Sequence, residues 1–228
     1  NLLGVDEDSE YTAWLPLKIA DAVELAVVRL QSARIGFTSV IEDRIAFYRR
    51  WHLKNGTVRM NPGKGNPDLV RPAGEIDPEL ALMYVESVEG APISAVASFS
   101  LHYVGSGKQN SVSADYFGHF YRLVRHYLGG DCVPLLWNAA SGQINNIDVS
   151  GKTVWKGRGY DQSVRMANVL AGHLITEIQL MDMQEELELG ASLGRMEFPR
   201  KEITEGDLDV AGKGLSGGHT YSEGPFSW

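Results

Sequence analysis

A chain of 228 residues with 43% apolar and 22% charged side chains has the composition of a folded domain and enough material to bury a substantial core. Its formal net charge of −8 excludes broad binding along a nucleic-acid backbone, which needs a basic excess to displace counterions. A lone cysteine, Cys132, excludes an intramolecular disulfide and a multi-cysteine metal centre, and no apolar stretch reaches the length of a membrane span.

After the acidic opening VDEDSE, Pro16 stands where a first helical turn tolerates proline. LKIADAVELAVVRLQSA (17–33) then repeats apolar residues at Leu17, Ala20, Val23, Val27 and Leu30, with Lys18, Asp21 and Arg29 turned elsewhere. That period predicts a helix with an inward apolar face. RIGFTSV (34–40) and IAFYRRWHL (45–53) are dominated by β-branched and aromatic residues and predict strands. Asn55-Gly56 in KNGT predicts a hairpin turn. NPGKGNPDLVRPAGEIDPE (61–79) carries Pro62, Pro67, Pro72 and Pro78, which rule out a regular helix or a central strand. An ordered, proline-pinned loop packed on the domain is the expectation, because proline lowers the entropy lost on fixing an irregular path.

LALMYVES (80–87) and ISAVASFSLHY (93–103) predict two buried strands joined by VEGAP, the second buried on both faces. DYFGHFYRLVRHYLG (115–129) predicts a helix ending at Gly129 and Gly130. CVPLLWNAA (132–140) predicts another buried strand, with Cys132 as a small buried hydrophobe. YDQSVRMANVLAGHLITEIQLM (160–181) predicts a long helix capped by Asp161, with Val164, Ala167, Ala171, Leu174, Ile175 and Ile178 inward. ELELGASLGRMEF (186–198) predicts a last strand, and the glycine-rich end AGKGLSGGHTYSEGPFSW (211–228) has no evident partner element. Helices and strands alternate without a repeat, the pattern of an α/β fold with mixed β-sheet layers flanked by helices. It is expected either as one domain over residues 1–228 or as the central part of a longer one. Asn1 in place of a starting methionine carries the expectation of an upstream segment. It also lacks the hydroxyl or thiol of an N-terminal nucleophile.

Three constellations carry possible chemistry. His102 closes an apolar strand beside a loose YVGSG loop, a position suited to binding a metal or shuttling a proton, or to a rim histidine bonded to a backbone carbonyl. In WNAASGQINNID, Asn138 and Gln143 offer donors and acceptors for a substrate, or simply form an amide-rich turn. Arg49-Arg50, beside His52 in the short basic run from Arg44 to Lys54, can stabilise an oxyanion or clamp a carboxylate, against surface ion pairing. His119, His126 and His173 lie in helix patterns with no third ligand at a metal-binding interval. HExxH, GxSxG, P-loop and zinc-ribbon patterns are absent.

The stretch RRWHLKNGTVRMNPGKGNPDLVRPAGEIDPEL, followed in order by ISAVASFSLHYVGSG, SADYFGHFY and CVPLLWNAASGQINNID, resembles the neutral/alkaline (non-lysosomal) ceramidase family. The likeness is to the N-terminal catalytic domain in its short bacterial form, and it covers roughly residues 33–150. The resemblance implies a zinc-dependent amidohydrolase that cleaves an amide bond with a metal-activated water. It assigns His102 to the zinc and Arg49 to the oxyanion. It sets the proline-rich loop beside the cleft, with Asp68, Arg71 and Asp77 bracing it. Asn145 stands where the family carries an active-site serine, and Tyr48 where it carries an asparagine, so the implied substrate is a small-molecule or lipid amide other than, or besides, ceramide.

One histidine cannot hold catalytic zinc, and the remaining ligands are expected outside this numbering, from the missing remainder of the chain or a companion copy, or from His219, Tyr221 and Glu223. Two further readings stand beside the amidase: a non-catalytic domain that has lost its zinc site, and a metal-dependent hydrolase of an ester or sugar-derived substrate. Were an upstream signal peptide removed, a bacterial periplasmic or secreted location would follow.

Overall fold

The computed structural model describes residues 8–105, 112–153, 159–200 and 202–216. The helical period near the start is realised as α1 (Ser9–Val28), which begins earlier than expected because the Asp8 carboxylate caps the Tyr11 N–H at 2.9 Å. Pro16 therefore lies inside the helix rather than in its first turn. The apolar face is not turned inward: no residue of α1 is buried, and Leu17, Val23, Val27 and the following Leu30 are all more than half exposed. Periodicity specifies a helix without naming its partner.

The chain continues through β1 (Ala33–Ile41), β2 (Phe47–Tyr48), β3 (Arg50–Leu53), β4 (Val58–Met60), β5 (Leu69–Pro72), β6 (Glu79–Ser87) and β7 (Pro92–Phe99). Then follow α2 (Asp115–Leu128), β8 (Val133–Asn138), β9 (Ile144–Asn145), α3 (Tyr160–Ile178) and α4 (Glu205–Ser216). The main sheet has the order β1-β6-β7-β8, antiparallel except for the parallel β7–β8 pair, whose crossover is α2. Tyr84 faces Ala95 and Leu82 faces Ala97 in this register. These residues, with Leu80 and Phe99, form one face of the core. Tyr116, Phe120 and Val124 of α2, and Met166, Leu170 and Leu174 of α3, complete it at helical i, i+4 spacing. Small Ala95 and Ala97, both fully buried, leave room for the helices to close on the sheet.

Several expectations are corrected by long-range placement. CVPLLWNAA is not a buried strand: β8 is the sheet edge, so Pro134 is buried while Val133, Leu135 and Trp137 are exposed. β7 ends at Phe99, where Ala139 N donates to the Phe99 carbonyl at 3.0 Å, so residues 100–103 lie beyond the strand. IAFYRRWHL divides, β2 pairing with β9 and β3 with β4 and β5. Asp161 does not cap α3: Gly159 is the cap residue, and Asp161 sits in the first turn, where its charge still favours the helix dipole. Ala167, Ala171 and Leu174 are buried there as expected, but Val164, Ile175 and Ile178 are only half-buried, and Met166 and Leu170 take their place. ELELGASLGRMEF forms no strand. Only Gln184, just before it, bridges to Ile35, and residues 186–198 are exposed. α4 appears instead where no element was expected.

Asn55-Gly56 makes the expected hairpin, with Leu53 N donating to Thr57 O at 2.9 Å and Gly56 at φ +80°. Within the proline-rich stretch, β5 is an edge strand on β3. The rest is tied by Lys54 N to Asp68 O, Asn66 Nδ2 to Pro62 O and Gly65 N to Val149 O.

Candidate functional site

Two-residue pairing of β2 with β9 brings three of the sequence candidates together. Arg49, just past β2, donates its N–H to the Gln143 carbonyl at 2.9 Å, and its guanidinium Nη2 donates to the Gly142 carbonyl. Asn61 N–H in turn donates to Arg49 O at 2.8 Å. Asn145 Nδ2 donates to Asn61 Oδ1 at 2.6 Å, and Asn145 Oδ1 accepts from Ile147 N–H. Asn61 holds φ +46°, a left-handed conformation that asparagine tolerates better than most residues. The Asn145 Nδ2 thus ties the proline-rich loop to β9 while its Oδ1 holds the turn that follows β9, and the residue is 7% exposed. Arg49 is 9% exposed, whereas the adjacent Arg50 is exposed, so the pair diverges. Gln143 Oε1 is buried without a hydrogen-bond partner among the described residues.

His102 and Asn138 lie at the C-terminal edge of the parallel β7–β8 pair, where α/β sheets commonly bind ligands. His102, three residues past β7, is half-buried, its Nδ1 3.3 Å from Tyr103 O and its ring 4.2 Å from the Tyr103 ring. Asn138 is exposed opposite Phe99. Among the described residues no three of His, Cys, Asp and Glu come together to hold a metal ion. His219, Tyr221 and Glu223 lie outside the described residues. Of the other histidines, His119 Nδ1 sits 2.9 Å from Arg122 Nη2, with burial and that guanidinium depressing its pKa. Cys132 is buried, and burial pushes its thiol pKa up, as expected of an inert thiol.

Two polar clusters escaped the sequence reading. Glu42, fully buried after β1, accepts from Arg44 N at 2.8 Å, Arg44 Nε at 2.9 Å and Arg44 Nη2, and pairs with His173 Nε2 at 2.8 Å. Burial alone would raise its pKa, but these partners outweigh it and hold the carboxyl at about 2. Asp115, at the start of α2 with φ +50°, accepts from Val104 N, Gly105 N, Tyr116 N and Ser163 Oγ, binding the segment after His102 to both helices.

Two cavities flank β2. One, of about 690 Å³, is lined by Phe47, Asn61, Lys64, Val104, Gln162 and Arg165 among others. The second, of about 730 Å³, includes Arg44, Tyr48, Trp51 and Gly74. Arg49, His102, Asn138, Gln143 and Asn145 line neither. At Gly74 a Cβ would lie 2.6 Å from Tyr48 Cζ, so Gly74→Ala forces the ring aside. The expected cost is about 1–3 kcal/mol by denaturant titration, and smaller in the Tyr48→Ala background. Equal effects in both backgrounds would contradict the clash.

No family model matches the chain, and no curated protein matches it. Among solved structures it resembles the neutral ceramidase from Pseudomonas aeruginosa, with a TM-score of 0.51 and 18% identity over 71% of this chain and 25% of that one. A ceramidase complexed with C2 gives a TM-score of 0.50 and 18% identity over 68% and 23%. The fold is ceramidase-like, and the chain spans about a quarter of the length of these solved ceramidases. No helix of the described residues is long and apolar enough to cross a membrane.

Proposed function

We propose that this chain belongs to a ceramidase-like hydrolase that cleaves an amide bond. The observation that carries the reading is the fold likeness to two solved ceramidases over some 70% of the chain. Amide hydrolysis adds water to the carbonyl carbon, places negative charge on the carbonyl oxygen, then breaks the C–N bond as the amine takes a proton. A buried cation at the developing oxyanion supplies the largest share of such catalysis. Arg49 is the described guanidinium for that role, and its bonds to Gly142 and the Gln143 backbone fix its position. Gln143 and Asn138 are proposed to bind the amide itself through their side-chain donors and acceptors.

Zinc is part of the proposal through His102, but catalytic zinc takes about three protein ligands and an open position. The described donors alone do not make such a centre. The chemistry assigned to this chain rests on Arg49, Gln143 and Asn138. A non-catalytic ceramidase-like domain that has lost its zinc site is the second reading, favoured by Asn145, whose amide is engaged within the chain.

Kinetics of arginine variants separate the two. Arg49→Ala is expected to lower kcat on an N-acyl amide about 100-fold or more with KM changed much less, and Arg49→Lys to recover part of the loss. An unchanged kcat in Arg49→Ala would remove the oxyanion role.

A further inference from the structure

We propose that the cavity of about 690 Å³ beside β2 binds an amphiphile carrying one carboxylate, with the carboxylate between Arg165 and Lys64 and the apolar body against Phe47, Val104 and Val149. The volume is in the usual range for a small-molecule site, and an apolar lining with a few convergent polar groups is the usual composition. The charge of the lining is opposite to that of the chain. Two cations face one carboxylate, Asp148, among the described lining residues, in a protein of formal net charge −8.

Asp148 is turned to its own loop. Its Oδ1 accepts from Ser150 N at 2.9 Å and Ser150 Oγ at 2.5 Å, and its Oδ2 accepts from Thr153 N at 2.8 Å. Burial alone would raise its pKa, but those bonds outweigh it and keep the group ionised. The carboxylate organises the wall and is poorly placed to neutralise an incoming cation.

The backbone under both cations is fixed. Lys64 sits between Gly63 at φ +99° and Gly65 at φ +67°, in a loop docked by Gly65 N on Val149 O at 2.8 Å. Arg165 projects from α3, one turn beyond Gln162, whose Nε2 bridges to Asn146 O at 2.9 Å. Burial, opposed by the Glu42 carboxylate and reinforced by the Arg44 guanidinium, depresses the Arg165 pKa. A planar guanidinium matches a carboxylate through two parallel hydrogen bonds, and an ammonium at the rim adds a point charge.

Neither group suits the neutral head of a ceramide. Because Arg49, Gln143 and Asn138 do not line this cavity, the inference goes beyond the hydrolase reading and does not rest on it. As a statement about binding it stands on the cavity alone.

Calorimetric titration of the intact chain tests it without any turnover. N-octanoylglycine is expected to bind, its methyl ester at least tenfold more weakly, and octyl phosphate no more tightly than the carboxylate. Arg165→Met is expected to weaken N-octanoylglycine at least tenfold and Lys64→Met about threefold, with neither altering the affinity of the methyl ester. Lys64 is exposed, so its variant reads out charge without disturbing the core, and Arg165→Lys serves where Arg165→Met does not fold. Equal binding of acid and ester, tighter binding of octyl phosphate, indifference to the Lys64 and Arg165 substitutions, or no binding at millimolar ligand each overturns the proposal. Binding without hydrolysis would instead leave this site standing and remove the hydrolase reading.

Discussion

Glu42→Ala lowers the stability of the folded chain by about 3 kcal/mol in denaturant titrations at neutral pH. The carboxylate is fully buried, and it is the shared acceptor for Arg44, from a loop, and His173, from α3. Removing it leaves the half-buried His173 and the Arg44 backbone N–H without this acceptor and opens space where the carboxylate stood. Arg44 is 67% exposed and recovers water, which keeps the loss from being larger. Glu42→Gln preserves shape and one acceptor oxygen, so it costs less than the alanine variant.

The pH dependence follows from the same geometry. The folded-state pKa is depressed from 4.5 to about 2, so the unfolded chain binds the proton more readily. Stability from this group is therefore fully present above about pH 4.5 and is lost as pH falls through about 2. The stability gap between wild type and Glu42→Gln narrows over that window. A gap that stayed constant from pH 5 to pH 2 would show that the pairing does not depress the carboxyl.

Asp115 carries the second large effect. Among the described residues its carboxylate accepts hydrogen bonds at 3.2 Å from Val104 N, 2.9 Å from Gly105 N, 2.7 Å from Tyr116 N and 3.0 Å from Ser163 Oγ. Bonds to an ionised acceptor are each stronger than neutral ones, and buried donors left unmade are costly. Its φ of +50° adds a backbone requirement that alanine meets only with strain. Asp115→Ala is expected to cost about 3 kcal/mol. Asp115→Gly relieves the strain but loses the acceptors, and Asp115→Asn keeps one oxygen and tolerates the left-handed backbone. The order of loss is thus alanine, glycine, asparagine, from largest to smallest. Hydrogen exchange at Val104 and Gly105 should speed up in the same order. An alanine variant as stable as the asparagine one would contradict this account.

What could be read from the sequence was local. The Asn55-Gly56 hairpin, the two core-facing helices and the strands over RIGFTSV and LALMYVES are written in neighbouring residues, and the structure contains them, the strands as β1 and β6. The partner of α1 is not local, and the same apolar repeat that identifies the helix is left exposed. Nor is strand order: the composition of CVPLLW is as apolar as a central strand, yet the crossover through α2 leaves β8 at the edge. α4 did have a local signal. Thr204 and Asp207 form a reciprocal capping box, with Asp207 N donating to Thr204 Oγ1 and Thr204 N to Asp207 Oδ2, but Gly206 and Gly212 within the helix hide it on propensity. The site divides in the same way. Arg49 and Gln143 were legible as residue types, but their meeting depends on a ladder two residues long. Glu42 and His173 pair across 131 positions, which no window reveals.

The hydrolase reading is tested most directly by the products that the purified chain makes from N-acyl amides, neutral and carboxylate-bearing. Incubation is followed by counting free amine and free fatty acid separately. The account predicts equal amounts of the two, rising linearly with protein and falling about 100-fold or more in Arg49→Ala. Intact amide across the whole panel, or release that the Arg49 substitution leaves unchanged, would contradict it.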